Sequence, residues 1–233
     1  PSRRSDIVCS AMVATGYRTQ SSWLGVDRYG PAMELADDAA TAAGTPTPGR
    51  RALGVFCGSR SGTDDSVPAL ARELGRAMAA SSIDLVYGGA GIGVMGAVAD
   101  AVLDAGGRVI GVIPSGLFSH EMPHHRLTER IEVADMHERK RIMYARSDAF
   151  CCLPGGYGTL DELFEAATWT QLGLHDRHKP VALLDGGAPG LPGFWSHLEA
   201  FLDAMVAEGF AKPENRDIVK RVETVAEVLS LLS

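Results

Sequence analysis

The sequence predicts an α/β fold, a doubly wound parallel sheet with helices on both faces. From Ala52 onward, short apolar runs alternate with segments in which apolar residues recur at helical spacing. The short runs are apolar throughout, which is typical of parallel strands buried on both faces. The chain has 233 residues, of which 45% are hydrophobic and 22% charged, and this suffices for one large globular domain.

The elements follow from this alternation in chain order. The predicted strands are ALGVFCGS, IDLVYGG, RVIGVIP, DAFCCLP and KPVALLD. The predicted helices are SVPALARELGRAMAA, GVMGAVADAVLDAGG, ADMHERKRIMYARS, TLDELFEAATWTQLG, GFWSHLEAFLDAMVAEG and TVAEVLSLLS. Pro114 closes the third strand, a longer loop follows, and Asp135 is expected to cap the next helix.

The first 50 residues differ in composition from the rest of the chain. They are rich in Ala, Ser, Thr and Gly and end in TAAGTPTPGRR, which is typical of a linker. We therefore expect residues 1–50 to be an N-terminal extension, partly disordered and without an inferable role. Residues 51–233 are expected to form the α/β domain.

Charge, hydropathy and cysteine content disfavour several classes of protein. A formal net charge of −7 disfavours nucleic acid or an anionic membrane as the main partner. No apolar run approaches the ~20 residues of a membrane span, and no signal peptide is recognisable. The cysteines form no C-x-x-C pair and lie mostly in apolar runs, which favours reduced, structural thiols in a cytoplasmic protein.

Small residues follow most of the predicted strands. In a parallel α/β sheet, ligands bind at the carboxyl ends of the strands, where small residues let a ligand approach the backbone. The strand exits carry Gly58 and Ser59, Gly88 and Gly89, Pro114 to Gly116, and Pro154 to Gly156. We expect the ligand site at this edge.

Two motifs match known signatures without the required context. GIGVMG, residues 91–96, lacks the acidic residue that a dinucleotide site needs after the next strand, so no nicotinamide or flavin is expected. HEMPH, residues 120–124, reads as H-E-x-x-H, but Pro123 would break the helix that zinc binding requires. We expect no metal site, although Glu121 could accept a hydrogen bond from a ligand.

The helix around MHERKRIM carries cations on an apolar stripe. Met136, Arg139, Lys140 and Met143 share one helical face because they are spaced i, i+3, i+4 and i+7. Two interpretations remain open at this point. Arg139 and Lys140 could snorkel outward or pair with a carboxylate, or they could belong to a functional site.

The stretch CCLPGGYGTLDELFE, residues 151–165, raises a similar choice. Its glycines precede a helix, and a glycine turn at a helix N-terminus can bind an anion. Alternatively, Thr159 and Glu162 fit a capping box, with Asp161 and Glu162 in the first helical turn. If the loop holds a phosphate, the carboxylates are placed to act on a sugar, whose cationic transition state they would stabilise. We favour a sugar phosphate as ligand.

PGGYGTLDE (154–162) and MHERKRIM (136–143) together resemble motifs of the Lonely guy family, the cytokinin riboside 5′-monophosphate phosphoribohydrolases. Members of this family were formerly labelled lysine decarboxylases. The resemblance extends from residue 52 to about residue 230 and includes VFCGS and LVYGGAGIGVMG. It implies a Rossmann-like fold, no redox cofactor, at least a homodimer, and hydrolysis of nucleoside 5′-monophosphates to free base and ribose 5-phosphate.

The resemblance also implies roles for individual residues. Arg139 and Glu162 match the catalytic pair. The residues expected to bind substrate are Glu121, Lys140, Gly155, Gly156, Tyr157, Gly158, Thr159, Leu160, Asp161 and Thr168, together with Gly58, Ser59, Gly88, Gly89 and Met95 at the strand exits and the glycine turn. This chain has Asp161 where many members have Glu, and its loop FSHEMPHHRLTERIE also departs from common versions.

Two other functions remain to be weighed. A non-catalytic carrier of nucleotides or pterin-type cofactors could use the same loop, but the Arg139 and Glu162 pair favours a hydrolase. Amino-acid decarboxylation needs a lysine bound to pyridoxal phosphate, and only Lys140 lies near the inferred site. The helix 159–173 is apolar on more than one face, which either core packing or a dimer interface would explain.

Overall fold

The computed structural model describes residues 49–115, 122–186 and 193–232. Its centre is a parallel sheet of seven strands. The strands are β1 (Ala52–Phe56), β2 (Asp84–Tyr87), β3 (Val109–Pro114), β4 (Glu129–Val133), β5 (Ala149–Cys152), β6 (Val181–Leu184) and β7 (Val219–Val222).

Helices connect consecutive strands over most of the chain. They are α1 (Ser66–Ala80), α2 (Gly93–Asp104), α3 (Met136–Arg146), α4 (Tyr157–Leu172), α5 (Ser196–Ala207) and α6 (Val225–Ser230), with a 3-10 helix at Pro213–Ile218. Asp135 caps α3 as expected, because its carboxylate accepts hydrogen bonds from the amides of His137 and Glu138, both at 2.8 Å.

The strand order places the ligand-binding edge near β1 and β5. The order is β4-β3-β2-β1-β5-β6-β7, so the chain runs outward from β1 in one direction and from β5 in the other. The loops after β1 and β5 therefore diverge and leave a crevice between them. This arrangement confirms the predicted doubly wound sheet.

Two apolar clusters cover the two faces of the sheet. One face packs against α1, α2 and α6 through residues such as Leu74, Val98 and Val228. The other packs against α3, α4 and α5 through residues such as Met143, Leu163 and Leu202. Helices on both faces explain why the central strands are buried throughout.

The sequence prediction missed both edge strands. The sequence pattern predicts a loop where β4 lies and no element where β7 lies. In the structure, each of them pairs in parallel with a neighbouring strand. Charged residues interrupt them, as in ERIEV, because an edge strand is only partly covered.

The described cysteines agree with a structural role. Cys57, Cys151 and Cys152 are buried and form no disulfide. Burial raises the pKa of Cys151 to about 12, so its thiol stays protonated. Cys9 and the predicted extension up to residue 48 lie outside the described residues, and no described helix is long and apolar enough to cross a membrane.

Candidate active site

The crevice between β1 and β5 is lined by glycine backbone. A Cβ atom on Gly155 would overlap the side chain of Thr159 and lie 2.9 Å from the amide nitrogen of Gly58. The turn after β5 is thus pressed against the turn after β1, which only a residue without a side chain permits. This contact brings Gly58 and Gly155 together, as expected.

The first turn of α4 presents backbone amides to this crevice. The helix begins at Tyr157, its N-cap is Gly156, and no side chain caps it. Its first internal bond runs from the amide of Leu160 to the carbonyl of Gly156 at 3.2 Å, so the preceding amides have no helical acceptor. Gly156, Tyr157 and Gly158 are exposed, and the turn can therefore bind an anion.

This helix start corrects two expectations from the sequence. Asp161 and Glu162 lie beyond the first turn, in which the structure has no acidic residue. Thr159 is an internal helical residue rather than the N-cap, so the capping-box alternative for Glu162 is wrong. The prediction is wrong because the helix begins two residues before Thr159, with Gly156 as the N-cap and Gly158 inside the first turn.

The side chain of Thr159 packs against the glycine turn. Its residue is 3% exposed, and its hydroxyl lies against Gly155. Since the side chain is covered by the turn, we expect Thr159 to shape the anion-binding backbone as well as to carry one of the amides.

Arg139 is buried beside the turn after β2. Its Nη2 donates to the carbonyl oxygen of Gly88 at 3.1 Å, and Nη1 lies 3.6 Å from the sulfur of Met136. A Cβ atom on Gly88 would overlap the guanidinium. Among the residues that the structure describes, nothing accepts a hydrogen bond from the buried Nε of Arg139. A buried donor in this condition is costly and marks a place for a ligand acceptor.

Lys140 is held by carboxylates of α4. Its amino group lies 3.0 Å from Oδ2 of Asp161 and in closer contact with Glu165. Burial opposes the charge of Lys140, but hydrogen bonds to Glu165 and Asp161 outweigh it and raise the pKa of the lysine. The sequence analysis did not identify Glu165, which follows Asp161 by one helical turn and could have been found by that spacing.

The apolar stripe of α3 is largely confirmed. Arg139, Lys140 and Met143 are buried, whereas Met136 at the first turn is 41% exposed. Lys140 pairs with carboxylates, as the first interpretation predicts. That Arg139 belongs to a functional site stays a prediction.

Glu162 lies half-buried on α4, on the side that faces the end of β5. Burial is the main cause that raises the pKa of the Cys152 thiol, and the negative charge of Glu162 adds to it. The hydroxyl of Tyr144, on α3, reaches the backbone carbonyl of Glu162 at 3.4 Å. Glu162 therefore sits between the glycine turn and the helix that carries Arg139.

The turn after β2 is held by hydrogen bonds to the segment that begins at Met122. The amide of Gly91 donates to the carbonyl of Met122 at 2.9 Å, and that of His124 donates to the carbonyl of Gly89 at 2.8 Å. Pro123 bridges Ala90 in an antiparallel pair, so the described part of HEMPH is not helical. His120 and Glu121 lie outside the described residues.

Some predicted residues surround the crevice, and others lie away from it. Ser59 is exposed at the end of β1, and the amide of Met95 lies 3.4 Å from the carbonyl of Gly58. Thr168 is exposed about 16 Å farther along α4 than Tyr157 and donates to the carbonyl of Phe164 at 2.7 Å. Thr168 therefore lies away from the crevice.

The outer face of α4 forms an open groove that includes Thr168. It encloses about 580 Å³ and is lined by Tyr157, Leu160, Asp161, Phe164, Glu165, Thr168 and Trp169. Leu172, on the last turn, is 63% exposed. The second apolar face predicted for this helix is thus uncovered in the described part of the chain.

Within the described residues, no group of three or more His, Cys, Asp or Glu side chains is placed to hold a metal ion. The chemistry that the crevice offers is instead anion binding by backbone amides, next to a carboxylate and a buried guanidinium.

Known proteins resemble this chain over most of its length. A family model described as "possible lysine decarboxylase" matches residues 95–232. Cytokinin riboside 5′-monophosphate phosphoribohydrolase LOG3 of Arabidopsis thaliana is 46% identical over 182 residues, which span 78% of this chain and 81% of that protein. The probable enzyme LOG6 of the same plant is 47% identical over 76% of this chain and 85% of its own.

Solved structures agree on the fold. The molybdenum cofactor carrier protein of Chlamydomonas reinhardtii has a TM-score of 0.58 and 24% identity, over 78% of this chain and 98% of its own. That likeness concerns the architecture alone. The family model and the sequence relatives identify the chain as a member of the Lonely guy (LOG) family of phosphoribohydrolases.

Proposed function

We propose that this protein hydrolyses the N-glycosidic bond of cytokinin riboside 5′-monophosphates, of AMP, or of both. The products are the free base and ribose 5-phosphate. The observation that carries the proposal is the position of Glu162, beyond the open amides of Tyr157 to Thr159 on one helix. A phosphate on those amides places the ribose of the same nucleotide near the carboxylate.

In this mechanism the bond between C1′ and the base nitrogen breaks while a water oxygen bonds to C1′. One proton of that water passes to the departing base. Glu162 stabilises the positive charge that develops on the sugar and orients the water. Arg139, whose Nε has no acceptor in the described residues, donates to the ribose or phosphate and keeps Glu162 ionised.

A homodimer is the proposed assembly. The groove on α4 begins at the glycine turn and continues past Thr168, and its apolar rim is exposed. A second copy that covered this face would bury Leu172 and bring its own residues close to the crevice. We also propose a cytoplasmic location, which the buried thiols of Cys57, Cys151 and Cys152 support.

The proposed reaction is tested by measuring base release from AMP and from isopentenyladenosine monophosphate, each compared with its unphosphorylated nucleoside. We expect release from the monophosphates only, with the rate ratio giving the base preference. Glu162→Gln should abolish release, while Glu73→Gln on the exposed face of α1 should not. Tight nucleotide binding without any release would contradict the proposal and indicate a carrier.

A further inference from the structure

A second cavity lies at the edge of the sheet opposite the crevice. It encloses about 340 Å³ at the amino ends of the central strands, and arginines and aspartates line it. The charged residues around it are Arg50, Arg51, Arg146, Arg177, Asp84 and Asp148. The proposed phosphoribohydrolase reaction uses none of them.

Arginines outnumber the carboxylates that they contact here. Asp84 is approached by Nε of Arg50 at 2.7 Å and by Nε of Arg108 at 3.5 Å. Asp148 is approached by Arg177 and, at 3.6 Å, by Nη1 of Arg51. Each of the two carboxylates therefore faces a pair of guanidinium groups.

The remaining charged neighbours balance one another. Arg146 makes a bidentate contact with Glu129, at 2.9 and 3.1 Å. Asp176 lies 2.8 Å from Nζ of Lys179 and reaches Arg177 only at 3.9 Å. Four arginines and two aspartates line the cavity, and Glu129 balances one of the arginines. An excess of about one positive charge therefore remains, although the chain as a whole has a net charge of −7.

Several guanidinium donors are poorly used. The 3.6 Å separation of Arg51 from Asp148 is too long for a hydrogen bond. Among the hydrogen bonds of the described residues, Arg50 donates only through Nε, to Asp84, and Arg177 only through Nη2, to Asp148. Planar guanidinium groups with spare N–H donors match the oxygens of a phosphate.

We propose that this cavity binds a small phosphate-bearing anion. Its volume is within the range of small-molecule sites, at the lower end, which suits a phosphate ester rather than a whole dinucleotide. The amino ends of parallel strands lie near helix C-termini, which repel anions, so the arginines must supply the attraction. The proposal is independent of the reaction at the opposite edge.

Isothermal titration of the full chain with inorganic phosphate tests the proposal. The decisive variant is Arg51→Ala/Arg177→Ala, in which both side chains are about half exposed, at 53% and 49%. Binding at this cavity should weaken about tenfold or more because two charge-assisted contacts are lost. The control variant is Arg76→Ala, on the exposed face of α1, and it should bind as the wild type does.

The crevice of the proposed active site also binds phosphate in our scheme, so wild type should show two sites per chain and the double variant one. An unchanged isotherm in the double variant would overturn the proposal, whether or not the chain hydrolyses nucleotides. If the double variant fails to fold by circular dichroism, Arg51→Gln alone replaces it, with the same expected weakening at one of the two sites.

Discussion

The amino group of Lys140 lies 3.0 Å from a carboxylate oxygen of Asp161, and this ion pair joins α3 to α4. The residues next to it in sequence are Arg139 and Glu162, which the resemblance identified as the catalytic pair. The ion pair therefore fixes the relative position of the two helices next to these two residues.

The contribution of Arg139 to catalysis is expected to depend on the planar shape of its guanidinium group. Arg139→Lys keeps the charge but has one donor nitrogen in place of a planar group of three, so it cannot hold Gly88 and a ligand in the same geometry. We expect kcat to fall about a hundredfold or more. Gly88→Ala should have a similar effect because its methyl group would displace the guanidinium. Steady-state kinetics of base release measures both. Arg141→Lys on the same helix is the control, and equal losses in all three variants would refute this role.

Gly155 and Gly158 should respond differently to an added methyl group. Gly155→Ala would overlap Thr159 and crowd Gly58, and we expect it to lower the free energy of unfolding by about 1–3 kcal/mol. A Cβ atom on Gly158 meets nothing within 4 Å, so Gly158→Ala should leave stability nearly unchanged. Its KM for the monophosphate should nevertheless rise, because the methyl group lies at the anion-binding turn. Urea denaturation and kinetics distinguish the two effects, and equal stability losses would contradict the packing argument.

We expect the contact between Lys140 and Glu165 to contribute to the free energy of unfolding. Lys140→Met leaves two carboxylates without their cation and should cost about 1–3 kcal/mol, reduced by the exposure of Asp161. Glu165→Gln in the same chain should recover part of that loss, which a double-mutant cycle in urea measures. Lys212→Met, at a lysine that is 78% exposed, is the control. Strict additivity of the two changes would show that the contact is without energetic consequence.

Protonation of His175 is expected to make the free energy of unfolding depend on pH. It lies within 6.0 Å of the rings of Tyr144, Phe150 and Trp169, and burial lowers its pKa below the ordinary value of 6.5. The folded state therefore binds this proton less well than the unfolded chain does. Its contribution to stability is complete above about pH 6.5 and is lost as the pH falls toward the lower, folded pKa.

The measurement for His175 is urea denaturation at intervals between about pH 7.5 and about pH 5.5. His175→Gln should flatten the slope of stability against pH, whereas His197→Gln, at an exposed position on α5, should leave it unchanged. An identical slope in wild type and His175→Gln would mean that other groups cause the pH dependence.

Leu172 is expected to lie in the dimer interface. Leu172→Glu places a charge on the exposed end of the α4 groove and should convert a dimer into a monomer of 24.7 kDa. Light scattering coupled to size-exclusion chromatography measures the mass. Ala105→Glu, exposed after α2 on the opposite face of the sheet, should not change it. A wild-type monomer would contradict the proposed assembly directly.

Most of the central fold could be predicted from local patterns. The strands β1, β2, β3, β5 and β6 are apolar except for Asp84 at the start of β2, and that pattern has few explanations other than a sheet covered on both faces. The edge strands β4 and β7 were missed because their charged residues reflect one-sided burial, which resembles a loop in sequence. The start of α4 was missed because glycine is a poor helix former, and tertiary context overrode its propensity.

The sequence by itself determined the doubly wound sheet, the glycine turns and the residues that carry the family resemblance, because these depend on local spacing and residue type. Only the tertiary structure decided which side chains meet. The contact of Lys140 with Glu165, that of Arg139 with Gly88, and the arginine-lined cavity at the far edge all join residues from different elements. Such contacts depend on the order of the strands in the sheet. The periodicity of one segment does not show which other segment it will contact.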